Sequence, residues 1–236
     1  MFEWLKRIQD GANSAEETMR YFGQMLEDGR HVFDLAAGAL LGGTDPETIK
    51  SDVWDTDKRI NRNERRIRRR LVTHLTAYGS YGAAGHLVMM SLVKDAERIG
   101  DYSKNLFDLA VLGRGVPDDV LDDMLDLRET LSRMLSKARN VHETEDEDAA
   151  RAFVARAEKI SKRCDVRIAE MVLREDTDNR SATGALAYRY FKRINAHAMN
   201  VITSILVPVD RLDYWDEDDA GNTPAGDTDF SSEEEL

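Results

Sequence analysis

The sequence has few prolines, one cysteine and no long apolar run, and each shortage excludes a class of protein. Four prolines in 236 residues, without alternating runs of valine, favour helices over sheets. The single cysteine, Cys164, excludes an intrachain disulfide, and its helical spacing from Ile160 and Met171 predicts a buried structural thiol. No stretch approaches the roughly 18 apolar residues of a membrane span, and residues 1–10 lack the apolar region of a secretory signal. By elimination, we expect a cytoplasmic protein.

The balance of charge is acidic, with a formal net charge of −12. Apolar residues make up 42% and charged residues 33% of the chain, which indicates a globular protein with a highly charged surface. A nucleic-acid partner is not expected, because neutralising phosphates requires a net excess of clustered Lys and Arg. Lys is scarce beside Arg, which suits the concentrated salt of a halophilic archaeon, while an ordinary acidic cytosolic protein is the alternative.

Hydrophobic periodicity and capping signals predict six helices. The first begins at Ser14, which has capping-box spacing to Glu17, and ends at Gly42 and Gly43. Asp45 is expected to cap the second helix. The acidic segment 143–148 is expected to begin the fifth, because carboxylates favour the positive end of a helix dipole. The predicted helices cover about residues 14–41, 46–77, 86–112, 117–142, 143–175 and 185–207.

The six helices fall into two similar halves. Residues 97–105 (ERIGDYSKN) and 192–200 (KRINAHAMN) share Arg-Ile and a final Asn, and residues 57–67 and 158–168 share their spacing. A long-period repeat implies duplication of one unit. We therefore predict an all-α fold of two tandem three-helix bundles. An N-terminal extension covers residues 1–13, the first repeat residues 14–113 and the second repeat residues 114–208. Residues 209–236 are expected to form an acidic, disordered tail.

Acidic residues beside the apolar seam of the second helix are candidate metal ligands. Asp57, Asn61 and Glu64 lie at positions i, i+4 and i+7 of that seam, where a carboxylate is costly unless it is paired or bound to a cation. Glu97 and Asp101 lie one turn apart on the third helix. Oxygen donors suit divalent or iron-type ions, so this acidic set predicts a metal site. The alternative is pairing with nearby arginines, namely Arg59, Arg66 and Arg98.

Histidine contributes no ligand to this prediction. The Glu-x-x-His pairs of di-iron bundles are missing from the sequence. His74, His86 and His142 have no carboxylate or histidine at ligand spacing along the chain, and we expect them to be surface or boundary residues.

These helices resemble those of a known family. Residues 91–110 (SLVKDAERIGDYSKNLFDLA) resemble the signature helix of the PhoU family, regulators associated with phosphate uptake. Residues 55–67 resemble the preceding helix of that family, with its spacing kept at Asp57, Asn61 and Glu64. The layout of three helices, twice, also matches, so the resemblance covers about residues 14–207.

The resemblance implies a cytoplasmic regulator rather than an enzyme. Its implied partners are a phosphate transporter component or a phosphate-signalling protein. The resemblance is also compatible with a peripheral position at the inner face of the membrane and with a homodimer. Some family members hold iron, zinc or another cation in their acidic motifs. Carried onto this chain, Glu97 and Asp101 are the best metal ligands, with Asp57 and Glu64 supporting them.

The second half departs from the family pattern. Lys192 and Ala196 stand at the places that match Glu97 and Asp101, and Lys162 stands at the place of Asn61. We therefore expect metal in the first half only, with Glu158 and Asp165 paired to Lys162 and Lys192. Two other functions are left open. One is a metal-free helical scaffold, and the other is a metal-dependent hydrolase, for which the sequence offers no recognisable nucleophile, base or phosphate-cradling loop.

Overall fold

The computed structural model describes residues 12–79, 82–175 and 179–212, and in these residues six long helices occur without a strand. They are α1 (Ala12–Gly42), α2 (Pro46–Tyr78), α3 (Ala83–Val111), α4 (Asp118–Thr144), α5 (Glu147–Val172) and α6 (Asn179–Thr203), followed by a 3₁₀ turn (Val209–Arg211). The predicted all-α class and the six helices are confirmed.

Side-chain caps fix two of the helix starts. The Asp45 carboxylate accepts a hydrogen bond from the Glu47 backbone N–H at 3.0 Å, with Pro46 in the first turn, as predicted. Asp146 accepts from the Ala149 N–H at 3.0 Å, so it is Asp146 that caps α5. The prediction that α5 begins at residue 143 is therefore wrong, because α4 continues through Thr144.

Other helix ends also differ from the prediction. The described part of α1 begins at Ala12, so Ser14 lies inside the helix rather than capping it. The third and sixth helices begin earlier than predicted, which shortens both polar loops, although α5 also ends earlier, at Val172. The regular part of α6 ends at Thr203, because the next backbone N–H groups donate to i−3 carbonyls as well and tighten the last turn. Residues 1–11 and 213–236, which include most of the predicted extension and tail, lie outside the described residues.

Each half is a three-helix unit, and the two units share one core. In the first half α3 packs against α1 and α2, and in the second half α6 packs closely against α5 and less closely against α4. The halves join where α3 packs against α6 and α1 against α4. Phe33 and Phe191 meet across this junction with ring centroids 5.6 Å apart in an edge-to-face geometry. The boundaries of the two repeats as separate domains stay a prediction.

The contact between α3 and α6 has an approximate two-fold symmetry. In the repeat alignment Asp95 corresponds to Tyr190, and Tyr102 corresponds to His197. Asp95 contacts His197 at 2.8 Å, while Tyr102 contacts Tyr190 with ring centroids 6.1 Å apart. Asp95 thus contacts the equivalent of Tyr102, and Tyr102 contacts the equivalent of Asp95. This reciprocal pattern is that of a symmetric dimer interface. The duplicated units pack on each other like the two subunits of a dimer.

Two buried side chains test the sequence predictions. Cys164 is buried, as predicted, and burial raises the pKa of its thiol to about 12. His142 was expected near the surface, but it is only 1% exposed and its ring lies 4.9 Å from that of Phe22. Burial lowers the pKa of His142 to about 4, so the ring is neutral at pH 7. That prediction is wrong because packing of α1 against α4 covers the side chain.

Candidate functional site

The signature segment of α3 begins with a packing contact. Ile99 is fully buried, and a methyl group on Gly29 of α1 would lie 2.9 Å from its Cγ2 atom. A methyl group on Gly100 would lie 2.7 Å from Cδ1 of Ile60 on α2. The Ile-Gly pair therefore lets α3 approach both neighbouring helices closely, which fixes the positions of Glu97 and Asp101 on either side of it.

Glu97 and Asp101 are neutralised by basic residues of their own helix. Glu97 is buried, and its Oε2 atom lies 2.5 Å from Nζ of Lys94. Asp101 is partly exposed, with Oδ2 3.5 Å from a guanidinium nitrogen of Arg98. Both partners precede their carboxylate by three residues, so they lie on the same face of the helix. Arg98 is one of the arginines proposed as an alternative to metal, and its pairing is observed.

Asp57 is the candidate metal ligand whose ion pair joins two helices, α2 and α3. Its carboxylate accepts a hydrogen bond from the Asn61 amide at 3.3 Å and lies 3.5 Å from Nζ of Lys104 on α3. The same Lys104 ammonium lies 4.8 Å from the ring centroid of Trp54, a cation–π distance. Lys104 therefore bridges α3 and α2 at this acidic face.

Glu64 is the least satisfied of the four carboxylates. A guanidinium nitrogen of Arg68 approaches Oε1 to 3.0 Å, but the pair lacks hydrogen-bond geometry. Oε1 is buried and makes no hydrogen bond within the described residues. A buried carboxylate oxygen without a hydrogen bond costs free energy, and a bound cation would remove that cost.

The electrostatics of Asp101 also favour a cation. Its pKa is raised, first because burial disfavours the charged carboxylate and second because of the neighbouring charge on Glu97. Lys94, Arg98 and Lys104 oppose the shift without cancelling it. Burial and the charge on Glu97 thus together disfavour the charged form of Asp101.

The residues have suitable chemistry for a metal, but their arrangement is not that of a formed metal centre. Over residues 12–79, 82–175 and 179–212, no three His, Cys, Asp or Glu side chains are placed so that they could hold one ion. Binding at Asp57, Glu64, Glu97 and Asp101 would require these carboxylates to leave their basic partners. The four residues therefore stay predicted ligands.

Two of the three proposed arginine partners contact other groups. Arg59 donates two hydrogen bonds to the buried carboxylate of Asp28 on α1, each at 2.8 Å. Arg66 lies over the ring of Tyr21, with its Cζ atom 5.3 Å from the centroid. Both arginines belong to the side of α2 that faces α1, away from the candidate metal ligands.

In the second half a lysine of α6 pairs with a carboxylate of α5. Lys192 donates to both carboxylate oxygens of Asp165 at 2.6 Å, which confirms that expected pair. The pairing of Glu158 with Lys162 stays a prediction. Asn195, at the place of Gly100, is buried and donates to the Ala157 carbonyl and the Ser161 hydroxyl of α5. In this half the position serves helix packing.

His74 and His86 come together between α2 and α3, which the spacing along the chain did not indicate. Their rings stack with centroids 4.7 Å apart, and His86 is buried with Nδ1 2.8 Å from the Gly82 carbonyl oxygen. The pKa of His74 is lowered, mainly by burial and also by His86. Their separation of 12 residues on different helices explains why periodicity within one helix missed the pair.

Comparisons with known proteins agree with this architecture. The family model of the PhoU domain matches residues 22–110, which run from α1 to the end of α3. The structure of PhoU from Pseudomonas aeruginosa is similar with a TM-score of 0.73 and 20% sequence identity, over 81% of this chain and 94% of that one. A search of curated proteins gave no match. None of the described helices has the length and apolar character needed to cross a membrane. Residues 22–110 are therefore similar to the PhoU domain, and the chain has the fold of PhoU.

Proposed function

We propose that this protein is a cytoplasmic, non-enzymatic regulator of phosphate uptake or phosphate signalling that acts by binding another protein. Its partner would be a phosphate transporter component or a phosphate-signalling protein at the inner face of the membrane. The observation that carries the proposal is the match of residues 22–110 to the PhoU domain. The shared core of the two halves supports it, because a rigid body of six helices suits a protein that presents a fixed surface.

Deleting the gene tests this function. If the protein restrains phosphate uptake, cells without it should accumulate more phosphate or express phosphate-starvation genes in phosphate-replete medium. Radiolabelled phosphate uptake and transcript levels would be measured in replete and starved cells. Re-expression of the full chain should reverse both changes. Uptake and expression that stay unchanged in both media would contradict the proposal.

Metal binding at the acidic face is a separate part of the proposal. The supporting observations are the buried Oε1 atom of Glu64, which lacks a hydrogen bond within the described residues, and the raised pKa of Asp101 beside Glu97. Glu97, Asp101, Asp57 and Glu64 would supply oxygen ligands, which suit iron, zinc or another divalent cation. When bound, such an ion would supply positive charge that links α2 to α3.

Metal content per chain tests the asymmetry between the halves. Replacing Glu97 by Gln and Asp101 by Asn should remove most of the bound metal, because the metal loses two charged ligands while the side-chain volumes stay similar. The matched control replaces Glu158 by Gln and Asp165 by Asn in the second half and should keep the metal. Elemental analysis after growth with iron, zinc or manganese gives the readout. Equal loss from both variants would contradict the asymmetry between the halves. A parent protein without metal in every medium would contradict metal binding and favour the ion-paired, metal-free regulator.

A further inference from the structure

A cleft lined by arginines lies between α1 and α2, on the side of α2 turned away from the acidic face. Its volume is about 340 Å³. The lining residues are polar or aromatic and come from two turns of α1 and three of α2, namely Arg20, Tyr21, Gln24, Arg59, Arg62, Asn63 and Arg66. Four guanidinium groups in one cleft are unusual for a protein whose net charge is −12.

The positive charge in the cleft is only partly neutralised. Arg59 is neutralised by Asp28, with two hydrogen bonds of 2.8 Å. Arg20 lies 3.9 Å from Glu17, at the outer limit of an ion pair. Arg62 and Arg66 have no acidic partner within the part of the chain that the structure describes. The cleft therefore carries about two uncompensated positive charges.

Aromatic stacking holds part of this arginine set in place. The ring of Tyr21 has the Cζ atoms of Arg20, Arg66 and Arg70 at 4.8, 5.3 and 5.7 Å from its centroid. Arg70 also pairs with Glu17. A guanidinium that stacks on a ring loses fewer conformations when it binds a ligand, so Tyr21 preorganises the cleft.

A buried amide also lines the cleft. Asn63 is only 4% exposed and contributes its side chain to the wall of the cleft. Asn63 thus adds an uncharged amide beside the guanidinium groups of the cleft.

We propose that this cleft binds a small anion that carries a phosphate group. Arg62 and Arg66 would bind the phosphate oxygens, because the planar guanidinium donates two parallel hydrogen bonds to oxyanions. The Asn63 amide would donate a further hydrogen bond to the same group. The concave shape of the cleft favours a free anion over a lipid headgroup. This inference goes beyond the proposed function, because it names a ligand that binds without a partner protein.

Calorimetric titration of the full chain with inorganic phosphate, at constant ionic strength in chloride buffer, tests the site. The parent protein should show saturable binding. Replacing Arg62 and Arg66 together by Gln should weaken it at least tenfold, because the uncompensated guanidiniums are lost. The matched control replaces Arg65 and Arg69 by Gln. Both are exposed residues of the same helix outside the cleft, so the charge change is identical and the affinity should change less than twofold.

Flotation with phosphatidylglycerol vesicles, against phosphatidylcholine vesicles, separates the two sources of phosphate. Saturable phosphate binding that is lost only in the Arg62 and Arg66 variant supports the proposal. Equal weakening in both double variants would show diffuse charge and overturn it, as would vesicle binding without phosphate binding, or no binding at all. A variant that loses phosphate binding but still restrains uptake would leave the proposed regulatory function intact, so the two failures are distinguishable.

Discussion

Replacing Phe191 by Ala is expected to lower the free energy of unfolding by about 3–5 kcal/mol, the usual cost of removing a fully buried phenylalanine. Phe191 of α6 is fully buried and meets Phe33 of α1 across the junction of the two halves. The loss would combine buried apolar area, the cavity left behind and the edge-to-face contact. Since both halves share the core at this point, the protein should still unfold in one transition.

Denaturant unfolding followed by far-ultraviolet circular dichroism measures this effect. The control is Leu186→Ala on the same helix, where the side chain is 43% exposed and the change should stay within about 0.5 kcal/mol. Two separate transitions, in the parent or in the Phe191 variant, would contradict the idea of one shared core. They would indicate instead that the two three-helix units unfold independently.

Most of the fold could be predicted because its signals are local. Periodicity identified all six helices, and Asp45 caps α2 as its position before Pro46 indicated. The error at α5 has a physical cause, since several acidic residues between 143 and 148 could have capped the helix. The choice of Asp146 depends on which side chain reaches a free N–H group, and here that group belongs to Ala149.

The candidate site was less predictable, because its properties depend on contacts between helices. The positions of Glu97 and Asp101 on one face of α3 follow from a spacing of four residues. The contact of Asp57 with Lys104 and the burial of Glu64 depend on how α2 and α3 are rotated about their axes. Spacing likewise could not show that His142 is buried, because α1 covers it from another part of the chain.

The basic run on α2 shows the same limit. The pattern RNERRIRRR (residues 62–70) is typical of a solvated face, and Arg62, Arg65, Arg66 and Arg69 are all exposed. The cleft, however, takes Arg62 and Arg66 from this run and adds Arg20 and Tyr21 of α1, about 40 residues away in sequence. A pattern within one helix cannot show which of its residues a second helix will join.

The repeat predicts a compensating pair of residues at one helix crossing. In the first half Gly100 of α3 faces Ile60 of α2, and in the second half Asn195 faces Ser161 at the equivalent positions. The first half thus has a small residue, Gly100, opposite a large one, whereas the second half has a medium-sized residue, Asn195, opposite a small one. Total volume at a packed crossing has to be kept nearly constant, so the two positions are expected to depend on each other.

Replacing Gly100 by Asn should therefore destabilise the protein by about 3 kcal/mol. The first side-chain atom would already lie 2.7 Å from Cδ1 of Ile60, and overpacking of this kind costs about 1–3 kcal/mol. The amide would also be buried against an aliphatic side chain, which costs about 1–3 kcal/mol more without a hydrogen bond. The modest gain in helix propensity on losing a glycine offsets less than 1 kcal/mol of this.

Adding Ile60→Ser to Gly100→Asn reproduces the pair of the second half and should recover about 1–3 kcal/mol relative to the sum of the single changes. The serine removes the clash and offers its hydroxyl to the amide, as Ser161 does for Asn195 at 3.0 Å. The control combines Gly100→Asn with Ile67→Ser, the same substitution at another fully buried isoleucine of α2, about 10 Å further along the helix. The control pair should be additive in denaturant unfolding. A coupling energy near zero at Ile60, or an equal one at Ile67, would mean that the two crossings are not equivalent. The signature glycine would then have to be explained by something other than its contact with α2.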